Sequence, residues 1–466
     1  MNVPQQKPRP AQPQQQKTDM FKQALALHEQ GKLDEAALLY RQMLVINPKD
    51  ARCWVNLGTL LRQKGQDEAS VACTARALEL SPGNASYLTN YGNCLMGLDR
   101  KDEALAAQEA AYKADPNSTL IRANLAIALR EAGRSAEAIP HFDAVCKAKP
   151  NDPQPQWERA MSHLEIGNFK QGWEDFKVRW KLGQLKDRNY QAPLWQGENF
   201  EGKTIVVHEE QGFGDTILAA RFVKKVKERG GRVILQCNPV LHRLFSQLEG
   251  VDRIVCFDTL DEPYDYFVPM MTLPGIFEAD FTNLPAPSRL FAAPELPRAA
   301  DHFVKISEGR LRVGIVWSGS TTFSRNNKRA VDASRFLRFA NIPGVQLFSL
   351  QKGPCEKELA ECGAQGLVYE IGPHVNDFAD TAAVINQLDL VIMTDSSVAH
   401  LTGSLGRPVW NLLCYRPYWL YSPMREDCAW YPSMRYFRQP EPGDWDSVFD
   451  EAHAALEKLA AEKLKK

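Results

Sequence analysis

Three short segments carry the residue types that polar chemistry needs, and each lies where a β-branched run gives way to a helical one. HEEQGFGDT (208–216) sets Asp215 at a helix start behind Gly212 and Gly214. Glycines there let the backbone turn sharply and approach a ligand closely. A carboxylate at that point either caps the helix or takes the proton of a reacting hydroxyl. The spacing is not the G-x-G-x-x-G of dinucleotide binders. TDSSVAHLTGSLGRP (394–408) brings Asp395, Ser396 and Ser397 to a second strand–helix junction, with His400 one turn in. The free N–H groups and dipole of a helix start suit a phosphate; the alternative is a plain N-cap and a packed histidine. WSGSTTFSRNNKRAV (317–331) follows Trp317 and Ser318 with Arg325, Lys328 and Arg329, cations that neutralise phosphate or form a solvated basic loop. Gln351 and Lys352 end a further strand in SLQKG (349–353).

The elements that must position these loops alternate in type. TIVVHEE (204–210), RVILQC (232–237) and DRIVCF (252–257) read as strands, with helices expected over 215–230 and 239–250. Residues 284–299 are rich in Pro and Ala and read as a linker. A second series has strands at 311–320, 345–351, 388–394 and 408–414, helices near 332–340, 378–388 and 396–406, and a last helix over 444–465. Alternation of this kind predicts parallel, doubly wound sheets. Two Rossmann-like halves, 185–300 and 301–466, are expected to face one another across a cleft, with ligands at the carboxyl ends of the strands.

The first part of the chain has a different period. Residues 1–17 are Pro- and Gln-rich and read as a disordered tail. Pro48, Pro82, Pro116 and Pro150 then stand 34 residues apart. The same period carries small residues at Ala24, Gly58, Gly92, Ala126 and Ala160, and again at Ala36, Ser70, Ala104, Ala138 and Gly172. Gly31, Gly65, Gly133 and Gly167 mark the turn between paired helices, with Asp99 in the third unit's slot. A 34-residue helix–turn–helix repeat of this form resembles the tetratricopeptide repeat, so 18–184 is expected to be a solenoid of about five units. The fifth unit, 153–184, lacks the closing Pro and carries Trp173, Phe176 and Trp180 at helical spacing. That stripe is expected to be the seam on the next domain rather than a ligand cage. Asn56, Asn90 and Asn124 recur on the groove-lining helices. Their amides are suited to clasping a peptide backbone, although Asn at this repeat position also serves packing.

Composition narrows the function classes. The 466 residues hold 56 Lys and Arg against 57 Asp and Glu, a net charge of −1, which gives no chain-wide basis for wrapping nucleic acid. No run of about 18 apolar residues can span a bilayer, and the first residues lack a secretory signal, so the expected location is cytoplasmic. The ten cysteines form no C-x-x-C pair, so neither disulfide nor metal is expected.

Together, HEEQGFGDT, VGIVWSG, DFADTAAVINQLDLVIMTDSSVAHLTGSLGRPVW and GDW make residues 200–440 resemble a GT-B glycosyltransferase, of the heptosyltransferase-like branch in bacterial tetratricopeptide glycosyltransferases. The resemblance implies a metal-independent enzyme whose co-substrate is a nucleotide sugar. Its implied acceptor side is 185–300 and its donor side 301–466. Asp215 is implied as general base. Gly212, Gly214, Trp317, Ser318, Lys328, Gln351, Lys352, Asp395, Ser396, Ser397 and His400 are implied in donor binding. Ser397 stands where heptosyltransferases usually have Gly. The Asn ladder resembles the peptide groove of O-GlcNAc transferase, which implies a protein acceptor. Resemblance to flagellin glycosyltransferases makes flagellin, with a nonulosonic (pseudaminic-type) sugar, the leading pair. The alternatives are a repeat scaffold with an inactive nucleotide-sugar-binding half, and a glycosyltransferase acting on lipopolysaccharide or another glycan.

Overall fold

The computed structural model describes residues 13–322, 326–423, 425 and 427–464. By contact density the chain divides into two units, Met1–Ser162 and His163–Lys466.

The first unit is built from paired helices: α1 (Pro13–Glu29), α2 (Leu33–Ile46), α3 (Ala51–Gln63), α4 (Asp67–Leu80), α5 (Ala85–Gly97), α6 (Lys101–Ala114), α7 (Thr119–Glu131) and α8 (Ser135–Ala148), followed by α9 (Pro153–Glu165). Residues 13–17, expected in the tail, belong to α1; residues 1–12 lie outside the described residues. A second 34-residue signature explains where the helices start. Asp50, Asn84 and Ser118 cap α3, α5 and α7 by accepting hydrogen bonds from the first-turn N–H groups of Arg52 and Cys53, of Tyr87 and of Ile121. Short polar side chains satisfy donors that the helix leaves without partners. The turn slot requires left-handed backbone, with φ +74° at Gly31, +69° at Gly65 and +85° at Gly133. Asp99 adopts φ +58° in the same slot, a conformation Asp tolerates better than most residues. The small positions are fully buried at Ala24, Ala36, Ala104, Ala126, Ala138 and Ala160.

The second unit begins inside α9, so the division falls at 162/163 rather than at the expected 184/185. The aromatic stripe is the reason. On α10 (Phe169–Phe176) the Trp173 indole donates to the Ala279 carbonyl at 2.9 Å and meets Trp419 edge-on, with 5.3 Å between ring centroids. Phe169 packs edge-on against Phe281 at 4.7 Å. These side chains belong to the core of the α/β unit rather than to the repeats.

Among the described residues, ten strands form two sheets: β1 (Thr204–His208), β2 (Arg232–Gln236), β3 (Arg253–Val255), β4 (Tyr266–Pro269), β5 (Leu311–Val316), β6 (Val345–Ser349), β7 (Val368–Glu370), β8 (Leu390–Thr394), β9 (Val409–Leu413) and β10 (Met434–Arg438). Their orders are β3-β2-β1-β4 and β10-β9-β8-β5-β6-β7, and every pairing is parallel. Helices cover both faces, which is why β6 and β8 are buried at every residue and why β8 (LVIMT) reads as an almost continuous apolar run. The larger sheet packs Val313, Ile315, Leu347 and Ile392 against Phe336, Phe339 and Phe449.

Several expected helices are shorter than their sequence periods. The one over 215–230 breaks into α11 (Phe213–Ala219), a 3-10 turn Ala220–Phe222 and a short helix Val223–Lys227. Of 239–250, only a 3-10 turn at Pro239–Leu241 and the helix His242–Phe245 form. The segment near 332–340 is a 3-10 helix, Ala333–Asn341.

Candidate active site at the strand ends

The loop leaving β1 is anchored before it reaches Asp215. The Glu210 carboxylate receives both arms of the Arg179 guanidinium at 2.8 Å and the Met271 N–H at 2.8 Å, and both side chains of this ion pair are almost wholly buried. Asp215 lies in the first turn of α11, behind Gly212. Burial, with help from the carboxylates of Asp395 and Glu210, pushes its pKa up to about 7, against the Gly212 N–H and the Tyr418 hydroxyl that hydrogen-bond it. A group at that value is shared between acid and base forms at neutral pH.

Gly214 brings the two sheets' loops together. A Cβ there would stand 2.7 Å from His400 Cδ2 and 3.5 Å from Ser397 Cα. Only a residue without a side chain lets α11 lie against the helix Ser397–Ser404, whose first turn follows β8. Ser396 caps that helix by accepting from the Val398 N–H at 3.4 Å. His400 is buried, and its Nδ1 lies 3.2 Å from the Tyr431 hydroxyl. Burial, with the Arg221 and Arg329 cations opposed by Asp395, pushes its pKa down to about 4. It is therefore neutral at pH 7, and its ring is a hydrogen-bonding group rather than a cation.

Asp395 is engaged on both oxygens. The Tyr421 hydroxyl donates to Oδ1 at 2.7 Å, and Arg329 donates to Oδ2 at 3.2 Å. Its role in this arrangement is to hold Arg329 beside the helix start. Arg329 also donates to Asn326 Oδ1 at 3.3 Å. Lys328, the loop cation implied by resemblance, is exposed, whereas its neighbour Arg329 is half-buried in the site. Arg325 lies outside the described residues.

Gln351 and Lys352 serve the scaffold. The buried Gln351 amide accepts from the N–H groups of Trp317 and Ser318 at 3.2 and 3.0 Å and donates to the Ser318 carbonyl at 3.1 Å, tying the ends of β5 and β6 together. Lys352 Nζ donates to the carbonyls of Gly372 and Val375 at 3.0 and 2.7 Å. The buried Trp317 indole N–H and Thr394 hydroxyl have no partner among the described residues, which leaves unused hydrogen-bonding capacity where β5 and β8 end.

Sequence reasoning assigns no role to the segment after β9, yet it supplies the tyrosines that meet Asp215 and Asp395. Arg416 donates to Glu165 at 2.8 Å, and the Ser422 hydroxyl donates to the Glu165 carbonyl at 2.8 Å. Between these anchors stand Tyr418, beside Asp215, and Tyr421, on Asp395. The available signal is the density of tyrosines in YRPYWLYSP (415–423), which apolar-core reasoning treats as packing.

In the repeat unit, Asn56, Asn90 and Asn124 each donate one amide hydrogen to the carbonyl four residues back, those of Arg52, Ser86 and Leu120, at 2.8, 2.8 and 3.0 Å. Asn90 Oδ1 also accepts from Thr59 at 3.3 Å. The amides are half-buried and held in one orientation.

A tetratricopeptide-repeat family profile matches residues 10–160, so the N-terminal helices are tetratricopeptide repeats, followed by a parallel α/β region. Among curated proteins, the chain is similar to Protein FlbA of Caulobacter vibrioides (strain ATCC 19089 / CIP 103742 / CB 15), 27% identical over 338 residues that cover 66% of this chain and 55% of FlbA. The chain thus spans about half the length of that relative. Among solved structures, YrrB, described as a tetratricopeptide protein with an unusual peptide-binding site, is 19% identical over 35% of this chain and 84% of its own, with a TM-score of 0.31. PilF of Pseudomonas aeruginosa is 19% identical over 37% of this chain and 78% of its own, at 0.33. A thermophilic tetratricopeptide protein of Thermus thermophilus is 13% identical over 36% and 91%, at 0.32. No helix among the described residues is long and apolar enough to cross a membrane.

Proposed function

We propose that the chain is a metal-independent glycosyltransferase of the GT-B kind, moving a sugar from a nucleotide-activated donor to a hydroxyl of a protein held by the repeats. The observation that carries this reading is Asp215, a carboxylate with its pKa pushed up to about 7, set against the helix start at Ser397 where Arg329 is held by Asp395. The acceptor oxygen attacks the anomeric carbon while its proton passes to Asp215. The bond from that carbon to the nucleotide's phosphate oxygen breaks, and its electron pair leaves on the phosphate. Arg329 and the N–H groups at the start of Ser397–Ser404 receive that charge. General-base assistance of this kind contributes about 10²–10⁴ in rate.

The repeats have the form of a recruiting surface, and the half-buried Asn56, Asn90 and Asn124 amides are its backbone-clasping groups. Flagellin as acceptor and a nonulosonic acid as sugar rest on the resemblance to flagellin glycosyltransferases, and a cytoplasmic location on the sequence composition. The experiment is intact-mass analysis of candidate acceptor proteins incubated with the chain and a panel of nucleotide sugars. The expected result is a one-sugar mass increase that Asp215→Asn reduces at least about a hundredfold while nucleotide binding is retained. Transfer to lipid or glycan with every protein mass unchanged refutes the protein-acceptor assignment. Binding of nucleotide sugar with no transfer to any acceptor supports an inactive scaffold instead.

A further inference from the structure

A cavity of about 380 Å³ lies beside the end of β5 and is lined, among others, by Ser318, Asn326, Asp332, Arg335, Glu358 and Trp445. The sequence pattern does not announce it. Its inner wall is polar and ordered: Ser318 and Asn326 are buried, and the Asn326 amide donates to the Ser318 hydroxyl at 3.1 Å. Asn326 in turn accepts from Arg329, which reaches Asp395. The wall is therefore two hydrogen bonds from the start of the helix Ser397–Ser404. Trp445, the first residue of the helix Trp445–Lys463, contributes an indole to the side of the cavity.

The charges say which end of a ligand fits. Asp332 and Glu358 stand among the lining groups, and Arg335 donates to Asp446 at 2.6 Å. A phosphate placed here faces carboxylates, whereas a phosphate beside Arg329 meets a guanidinium at the positive end of a helix. The cavity suits the uncharged, flat end of a nucleotide, with an indole as stacking surface. Ionised carboxylates only accept hydrogen bonds, so the edge of the ring that faces them must donate.

We propose that this cavity holds the base of the donor nucleotide and selects a base bearing an exocyclic amine, the amine donating to Glu358 or Asp332. This rests on the nucleotide-sugar reading above. It places the base against Trp445, the phosphates at Arg329 and the sugar toward Asp215. A uracil ring has only its ring N–H to donate on that edge and carries a carbonyl oxygen where the amine would stand, which sets an acceptor against an acceptor there. A site arranged for one hydrogen-bonding pattern disfavours an analogue that lacks it, and here the half-buried Glu358 sets that pattern more strongly than the exposed Asp332.

Isothermal titration calorimetry of the full chain with AMP, CMP, GMP and UMP tests this. At least one of the three amino-bearing nucleotides is expected to bind about tenfold or more tightly than UMP. Trp445→Ala is expected to weaken that nucleotide by about tenfold. Glu358→Gln and Asp332→Asn, each nearly isosteric and compared at matched unfolding midpoints, are expected to narrow the gap to UMP. UMP binding as tightly as the other three, or a preference unmoved in both amide variants, overturns the amine assignment while leaving the nucleotide-sugar reading standing. Unchanged affinity in Trp445→Ala overturns the placement of the base. No binding by any of the four to the unaltered chain overturns the nucleotide-sugar reading, and this inference with it.

Discussion

Replacing Asp215 by Asn changes the pH dependence of stability in a direction set by the site alone. The folded carboxyl holds its proton to about pH 7, whereas the unfolded one releases it near 3.8. Between those values the folded state binds more protons, so stability falls as pH rises through the window and the loss is complete above about pH 7. Carried over a fully desolvated group, the displacement corresponds to roughly 4 kcal/mol. Asp215 retains partial exposure, and solvent screening reduces the expected effect to about 1–2 kcal/mol. Asn is neutral throughout and carries no such term. Equilibrium urea unfolding of both proteins, followed by the fluorescence of buried Trp419 and Trp430, should show Asp215→Asn gaining about 1–2 kcal/mol on the unaltered chain between pH 5 and pH 8. Parallel stability curves over that range would refute the assignment of a desolvated carboxylate next to Asp395 and Glu210.

Other perturbations test the parts separately. Gly214→Ala drives a methyl to 2.7 Å from His400 Cδ2 and should cost about 1–3 kcal/mol by denaturant unfolding; an unchanged midpoint would show that the helices can part freely. Arg179→Met strands the buried Glu210 carboxylate and should destabilise by about 3–5 kcal/mol in denaturant unfolding. Arg329→Ala should raise the Kd of the bound nucleotide about tenfold or more in calorimetry, whereas Lys328→Ala should leave it nearly unchanged. Asn56→Ala, Asn90→Ala and Asn124→Ala should each move the unfolding midpoint little, by about 0.5 kcal/mol or less, while weakening acceptor-protein binding measured by surface plasmon resonance.

The repeat was legible in sequence because its signals are compositional: a helix-closing Pro, small residues at crossings and a turn slot recur at a fixed interval, and the polar caps Asp50, Asn84 and Ser118 share that interval. Buried strands such as β8 were legible because parallel sheets covered on both faces favour long apolar runs. The three-residue β7 and the last strand β10 are too short or too mixed to stand out. The fragmented stretch 213–227 kept a helical hydrophobic period although the backbone tightens at Ala220–Phe222, and side-chain periodicity does not report that. Within the site, residue type identified the loops but not the roles. Lys328 and Arg329 are adjacent cations, and only the backbone of Asn326–Arg329 decides which one turns toward Asp395. Gln351 and Lys352 look like ligand groups, yet their polar atoms hold carbonyl and amide groups at the ends of two strands.

The tether after β9 makes the two carboxylates share one fate. Arg416 and Ser422 fasten its ends to Glu165, and between them Tyr418 and Tyr421 reach Asp215 and Asp395. Segments pinned at both ends open as cooperative units rather than residue by residue. One opening event therefore strips both carboxylates of their tyrosine partners at once.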